Sequence, residues 1–161
     1  MPKYQIVNIA DFKVSSDSED ILVTYSLGSC IAVVLYDPYL KHGAMIHIML
    51  PDSTIMRGRS TTINKSKFVD TGIPLLFKAM FKEGSKRNNI ITKVIGGSNV
   101  IDKSNFFNIG ERNYTAVRKM LWRNNIMIKS EDIGGSKSRT VKLFLDSGKV
   151  IISNATEEYE V

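Results

Sequence analysis

The chain has 161 residues, and few of them are of types that attack, shuttle protons or bind metals: one cysteine, Cys30, and two histidines, His42 and His47. Cys30 follows Leu27-Gly28-Ser29. That bend can present its sulfur and the neighbouring N–H groups at a strand end. A free thiol, with a pKa of about 8.5, is a weak nucleophile at neutral pH until an imidazole takes its proton. His47 is the candidate base, and afterwards the acid that protonates a leaving group. The competing reading of a lone cysteine is a small buried hydrophobe. His42, between Lys41 and Gly43, reads as an exposed turn residue. A single cysteine excludes an internal disulfide and fits a reducing cytoplasm. One cysteine and two histidines do not make a Cys/His zinc site, so no metal is expected.

Cys30 and His47 must then be brought to one place. Cys30–Tyr36 and Ala44–Leu50 read as strands, joined through Asp37-Pro38 and a turn closing near Gly43. In an antiparallel hairpin, facing residues have a constant sum, and side chains alternate between faces. The two residues share a face only if that sum is odd; 77 makes them direct partners and 79 makes them diagonal ones. Diagonal neighbours lie roughly 7–8 Å apart, within reach of a thiol and a ring. An odd register across Ile31–Tyr36 and Gly43–Ile48 is therefore required.

Around this hairpin, Ile6–Ile9 and Ile21–Tyr25 read as strands, with an acidic loop over Ser15–Asp20. A flexible loop is expected over residues 52–66. A helix follows from Thr71 to Lys82, with Pro74 in its first turn. Ile90–Ile95 is a strand running into Gly96-Gly97. Asn108 and Glu111 mark the start of a second helix as a capping box, and Asn124-Asn125 end it. Ile126–Lys129, Arg139–Leu145 and Val150–Asn154 read as strands, the last two flanking the turn at Asp146–Lys149. The tail, 155–161, is expected to fray. About seven strands and two long helices in one domain, residues 1–161, make an α+β layered protein. No apolar run approaches the roughly 20 residues of a membrane span, and the first residues lack the pattern of a signal peptide.

The segment Thr24-Tyr25-Ser26-Leu27-Gly28-Ser29-Cys30 resembles the T-x-x-L-G-S-C motif of the CheD family, the chemoreceptor glutamine deamidases. The resemblance continues in order through Tyr36-Asp37-Pro38, Gly43–His47, Met49-Leu50-Pro51 and Phe68-Val69-Asp70. Gly96-Gly97, Asn108–Asn113, Glu131–Gly135 and Arg139 extend it further. It implies a three-layered α/β sandwich with a mostly antiparallel sheet core. It places Cys30 on the family's nucleophile, His47 on its general base and Thr24 on the residue that orients the histidine, on a neighbouring strand within reach. The implied reaction is hydrolysis of selected glutamine side chains on methyl-accepting receptors through a Cys thioester, without a cofactor. A secondary methylesterase activity is implied as well. Backbone N–H groups around Gly28, Ser29 and Cys30 are the candidate oxyanion donors. The implied partners are the cytoplasmic helices of the receptors and a CheC-type CheY-phosphate phosphatase. The alternative role is a weakly catalytic module that regulates that phosphatase.

Gly96, Gly97, Gly134 and Gly135 lack the spacing of phosphate loops and read as backbone that bends or approaches closely beside the groove. Asp70 reads as a helix-start residue, Arg139 as a partner of Asp132 or of substrate, Met45 and Met49 as packing, and Trp122 as half-buried in preference to a partner contact. Val100-Ile101 and Phe106-Phe107 depart from the usual family form where the phosphatase is expected to dock. Residues 1–80 carry 8 Lys/Arg against 7 Asp/Glu, whereas residues 81–161 carry 14 against 9. The basic residues are spread singly, which disfavours a nucleic-acid surface. They suit encounter with acidic receptor helices.

Overall fold

The structure is a computed structural model that describes residues 2–56, 58, 62–99 and 108–161. Val100-Ile101 and Phe106-Phe107 lie outside the described residues, as do residues 57 and 59–61 of the loop expected to be flexible.

Two five-stranded sheets stack face to face, and two helices cover the outer side of one of them. The first sheet contains β1 (Lys3–Ile6), β3 (Asp20–Leu27), β8 (Arg139–Phe144), β9 (Val150–Ser153) and β10 (Glu158–Glu160), in that spatial order. The second runs β2 (Phe12–Ser15), β5 (His42–Ile48), β4 (Ile31–Asp37), β6 (Ile91–Gly96) and β7 (Ile128–Ile133). Pairing is antiparallel except between β1 and β3 and between β6 and β7. The α+β class and the three layers agree with the sequence reading. The helices, α1 (Val69–Lys82) and α2 (Ile109–Arg123), have 14 and 15 residues and are of ordinary length rather than long.

The central strands explain the layering. β4 is buried along its whole length because both of its faces are covered. Ile31, Val33 and Leu35 point to the helices together with Ala44, Ile46 and Ile48 of β5. There they meet Ile73, Leu76 and Met80 of α1 and Val117 and Leu121 of α2. The alternate residues Ala32, Val34, Tyr36 and Met45 pack into the other sheet, against Leu22, Leu27, Val141, Leu143 and Ile152. A period of two thus sorts one apolar run into two cores. The Tyr36 hydroxyl donates to the Leu145 carbonyl at 2.7 Å, so its polar tip is satisfied inside the inter-sheet core.

Several elements depart from expectation. Among the described residues ten strands form rather than about seven. β2 is a four-residue alternation whose Phe12 and Val14 pack on the helix-side core, and β10 is a short polar segment whose strand character comes from pairing. β10 lies in the tail expected to fray: Tyr159 pairs with Ile152, and the Val161 N–H donates to the Val150 carbonyl. β7 begins later than expected and takes in Glu131–Ile133. α1 starts two residues early, after Phe68, so Pro74 is its sixth residue and sits past the first turn. Asp70, in that first turn, accepts from the Ser53 N–H and hydroxyl. At α2 the Asn108 backbone is left-handed with φ 48°, and its side chain makes no cap bond. Its amide instead donates to the Glu111 carboxylate at 2.6 Å, replacing the expected capping box. Within the loop over 52–66, residues 53–56 form a 3-10 turn and a second, Lys65–Lys67, begins at its end. His42 opens β5, paired with Asp37 and half-buried, rather than standing exposed in the turn. Trp122 is 77% exposed, not half-buried. No helix among the described residues is long and apolar enough to cross a membrane.

Candidate active site

Every β4–β5 pair sums to 79; Ala32 faces His47 and Ile31 faces Ile48. The register is odd, as required. His47 therefore projects from the inter-sheet face of β5, beside Met45. Cys30 is two residues before Ala32 and packs against the same inter-sheet core. The nucleophile candidate and the base candidate share one face, diagonally displaced.

His47 is fully buried and held at several points. Its N–H donates to the Asp11 carbonyl at 3.0 Å, and its carbonyl accepts from the Ala10 N–H at 2.9 Å. Its Nδ1 lies 2.7 Å from the hydroxyl of Thr24, which is also fully buried. Thr24 lies within reach of His47, as expected, but not from a strand of the same sheet. It belongs to β3 of the opposite sheet and reaches His47 across the sandwich. Two residues beyond Leu22, it shares that residue's inward face. The β3–β8 register shifts between Thr24 and Leu27, and Ser26 between them has a φ of 55°.

The tautomer of His47 follows from proton counting. A threonine hydroxyl has one proton to give. Thr24 donates to the Val7 carbonyl at 2.7 Å. Toward His47 it must then accept, so Nδ1 carries the ring proton and Nε2 holds the lone pair. Buried Nε2 makes no hydrogen bond among the described residues. Burial without a carboxylate partner lowers the His47 pKa to about 4. Burial raises the Cys30 thiol, and the residue's own N–H, lying against the sulfur, opposes this more weakly. The resting pair is a neutral thiol and a neutral base, not a thiolate–imidazolium pair.

The bend over Gly28–Cys30 is tied down by three successive carbonyls. Gly28 accepts from the Ser98 N–H at 2.9 Å, and Cys30 accepts from the Gly97 N–H at 2.8 Å. Between them, Ser29 accepts from the Asn113 side chain at 2.9 Å. The same amide donates to the Met49 carbonyl at 2.9 Å, two residues beyond His47. Asn113 is fully buried on α2, and it links the chain just before the cysteine to the chain just after the histidine. Sequence reading gave it no role, because a polar residue on a helix reads as solvated. The nearby signal was Gly110, one turn earlier: a Cβ there would fall 2.5 Å from the Gly97 carbonyl, so the helix is pressed against this loop.

The structure brings the glycine pairs together through a Gly134 N–H to Gly96 carbonyl bond of 2.9 Å. Gly96 needs its lack of a side chain: its φ is 117°, and a Cβ would fall 2.4 Å from the Cys30 carbonyl. Gly97, Gly134 and Gly135 line a cleft of about 350 Å³ with Gly110 and Tyr114. Arg139 pairs with Asp132 at 3.3 Å and donates to the Gly134 carbonyl at 2.8 Å, a structural role. Among the described residues no cluster of three His, Cys, Asp or Glu is placed to hold a metal ion.

This is a two-sheet, helix-backed domain in which a threonine meets a histidine across the sandwich and a half-buried cysteine packs against the same inter-sheet core. The chain matches the family described as CheD chemotactic sensory transduction over residues 49–154. It is 49% identical over 150 residues to the probable chemoreceptor glutamine deamidase CheD 1 of Syntrophus aciditrophicus, with 93% of each chain covered. It is 42% identical over 158 residues to the probable chemoreceptor glutamine deamidase CheD of Solibacter usitatus, covering 97% of this chain and 92% of that one. The chain belongs to the CheD family.

Two outcomes follow. Alkylation of Cys30, followed by mass spectrometry, should accelerate with pH through about 8.5 and beyond, because burial raises the thiol. A plateau already reached at pH 6 would mean a preformed thiolate. Replacing Asn113 with alanine removes the donor from the Ser29 and Met49 carbonyls, which belong to half-buried residues, at up to roughly 1–3 kcal/mol each. The denaturation midpoint should fall accordingly and Cys30 reactivity should change; an unchanged midpoint and reactivity would contradict the bridging role.

Proposed function

We propose that this protein is a cysteine-dependent glutamine deamidase that converts selected glutamine side chains of chemoreceptors to glutamate. The observation that supports this reading most directly is the tautomer of His47. Its unpartnered Nε2 carries a lone pair on the face it shares with Cys30.

Nε2 accepts the Cys30 thiol proton as the sulfur attacks the side-chain amide carbon. The carbonyl oxygen becomes an oxyanion, for which the N–H groups of the Gly28–Cys30 bend are the proposed donors. When the carbon–nitrogen bond breaks, the Nε2 proton goes to the departing nitrogen, which leaves as ammonia. Water then gives a proton to Nε2, attacks the thioester and releases glutamate, and the imidazolium returns the proton to sulfur. A low His47 pKa suits this cycle, because the imidazolium gives up its proton readily. Thr24 keeps the ring in the working tautomer. A methyl ester fits the same steps with methanol leaving instead of ammonia. The glycine-lined cleft beside the bend is the proposed approach for substrate backbone.

Incubation with a chemoreceptor cytoplasmic fragment should raise the mass of particular glutamine peptides by about one dalton, with release of ammonia. Replacing Cys30 with alanine should abolish the conversion, and His47→Gln should slow it roughly 10²–10⁴-fold. Full activity in the Cys30→Ala protein would overturn the mechanism.

A further inference from the structure

The C-terminal half of α2 and the edge strand β7 leave a groove of about 530 Å³ between them. Trp122, the chain's only tryptophan, is 77% exposed there, and Met127 is 83% exposed. Large apolar side chains grouped at a groove are a feature of interaction sites. Tyr114, Arg118 and Lys129 also line it. Aromatic residues and arginine are the types that anchor interfaces. Residues 112–130 contain Arg112, Arg118, Lys119, Arg123 and Lys129 and no Asp or Glu. The one carboxylate at the groove, Glu131, already accepts from the Tyr114 hydroxyl at 2.8 Å. The surface is therefore apolar at its exposed anchors and positive around them.

The groove adjoins the glycine-lined cleft. Tyr114 lines both it and the cleft beside the Cys30 bend. From Asn113, which holds that bend, to Trp122 is about 13 Å along α2, or two and a half turns. A straight segment of that length can touch both ends at once.

We propose that the α2–β7 groove docks an acidic, amphipathic helix of the protein substrate, laid along the seam so that its glutamine side chain reaches Cys30. This rests on the deamidase reading for the identity of the substrate. The basic rim selects acidic side chains, and Trp122 and Met127 take apolar side chains spaced three or four apart on the helix. Binding here makes recognition depend on a folded receptor rather than on the glutamine alone.

Trp122 reports on its own occupancy. The Cys30→Ala protein is titrated with a tryptophan-free chemoreceptor cytoplasmic fragment while its emission is followed. The expected result is a saturable blue shift that weakens as salt rises. Arg118→Glu combined with Lys129→Glu should weaken binding at least ~10-fold. That double variant, with Cys30 intact, should keep its Cys30 alkylation rate and its turnover of a short glutamine peptide. The proposal is overturned if the fragment does not bind or binds without moving the emission. Equal binding of the double variant overturns it too, as does a shift that depends on protein concentration alone, which would place a second copy in the groove. The two readings fail separately. A saturating shift without glutamine conversion by the wild type leaves docking standing and removes the deamidase; conversion without a shift does the reverse.

Discussion

The single proton of the Thr24 hydroxyl sets the state of the site. Because it is given to the Val7 carbonyl, the oxygen can only accept from His47, and the imidazole is fixed with its proton on Nδ1. An aspartate in that place would hold the ring in the same tautomer but would also stabilise the imidazolium. A neutral threonine orients the ring without raising its basicity, and burial then pulls the pKa to about 4. The chain Val7–Thr24–His47 also crosses the sandwich, so it forms only when both sheets are packed. Tertiary structure and protonation state are coupled at one hydroxyl.

Stability bears the sign of this arrangement. His47 has an ordinary pKa of about 6.5 in an unfolded chain and about 4 here. Between those values the unfolded chain binds more protons, so acid destabilises the fold as pH falls through that window. The bend over Gly28–Cys30 is secured differently, by main-chain carbonyls bound from Gly97, Ser98 and Asn113. Gly96, with its φ of 117°, and Gly110 allow β6 and α2 to come close enough to make those bonds.

The hairpin was legible because β4 and β5 are strongly apolar runs on either side of a turn. Its odd register came from the requirement that Cys30 and His47 share a face, because a strand apolar on both faces does not mark its own parity. The sheet to which Thr24 belongs was not legible: Ile21–Tyr25 reads as a strand, but a period of two does not say which sheet it joins. β10, with the sequence EYE, lacks an apolar stripe and becomes a strand only through its partner, whereas the four-residue alternation of β2, Phe12 and Val14 against the core, was too short to stand out. Asn113 was missed because helical periodicity cannot mark a buried asparagine whose function is to bind two distant carbonyls. Trp122 was misplaced for the converse reason, since a tryptophan near the end of an amphipathic helix is ordinarily at least half-covered.

The most direct test of the account is the nitrogen NMR spectrum of His47, recorded on the intact chain as a function of pH. The account predicts a neutral ring at pH 7 with the proton on Nδ1 and a bare Nε2, persisting on acidification until pH approaches about 4. A ring protonated on Nε2, or an imidazolium already present at pH 6, would contradict it.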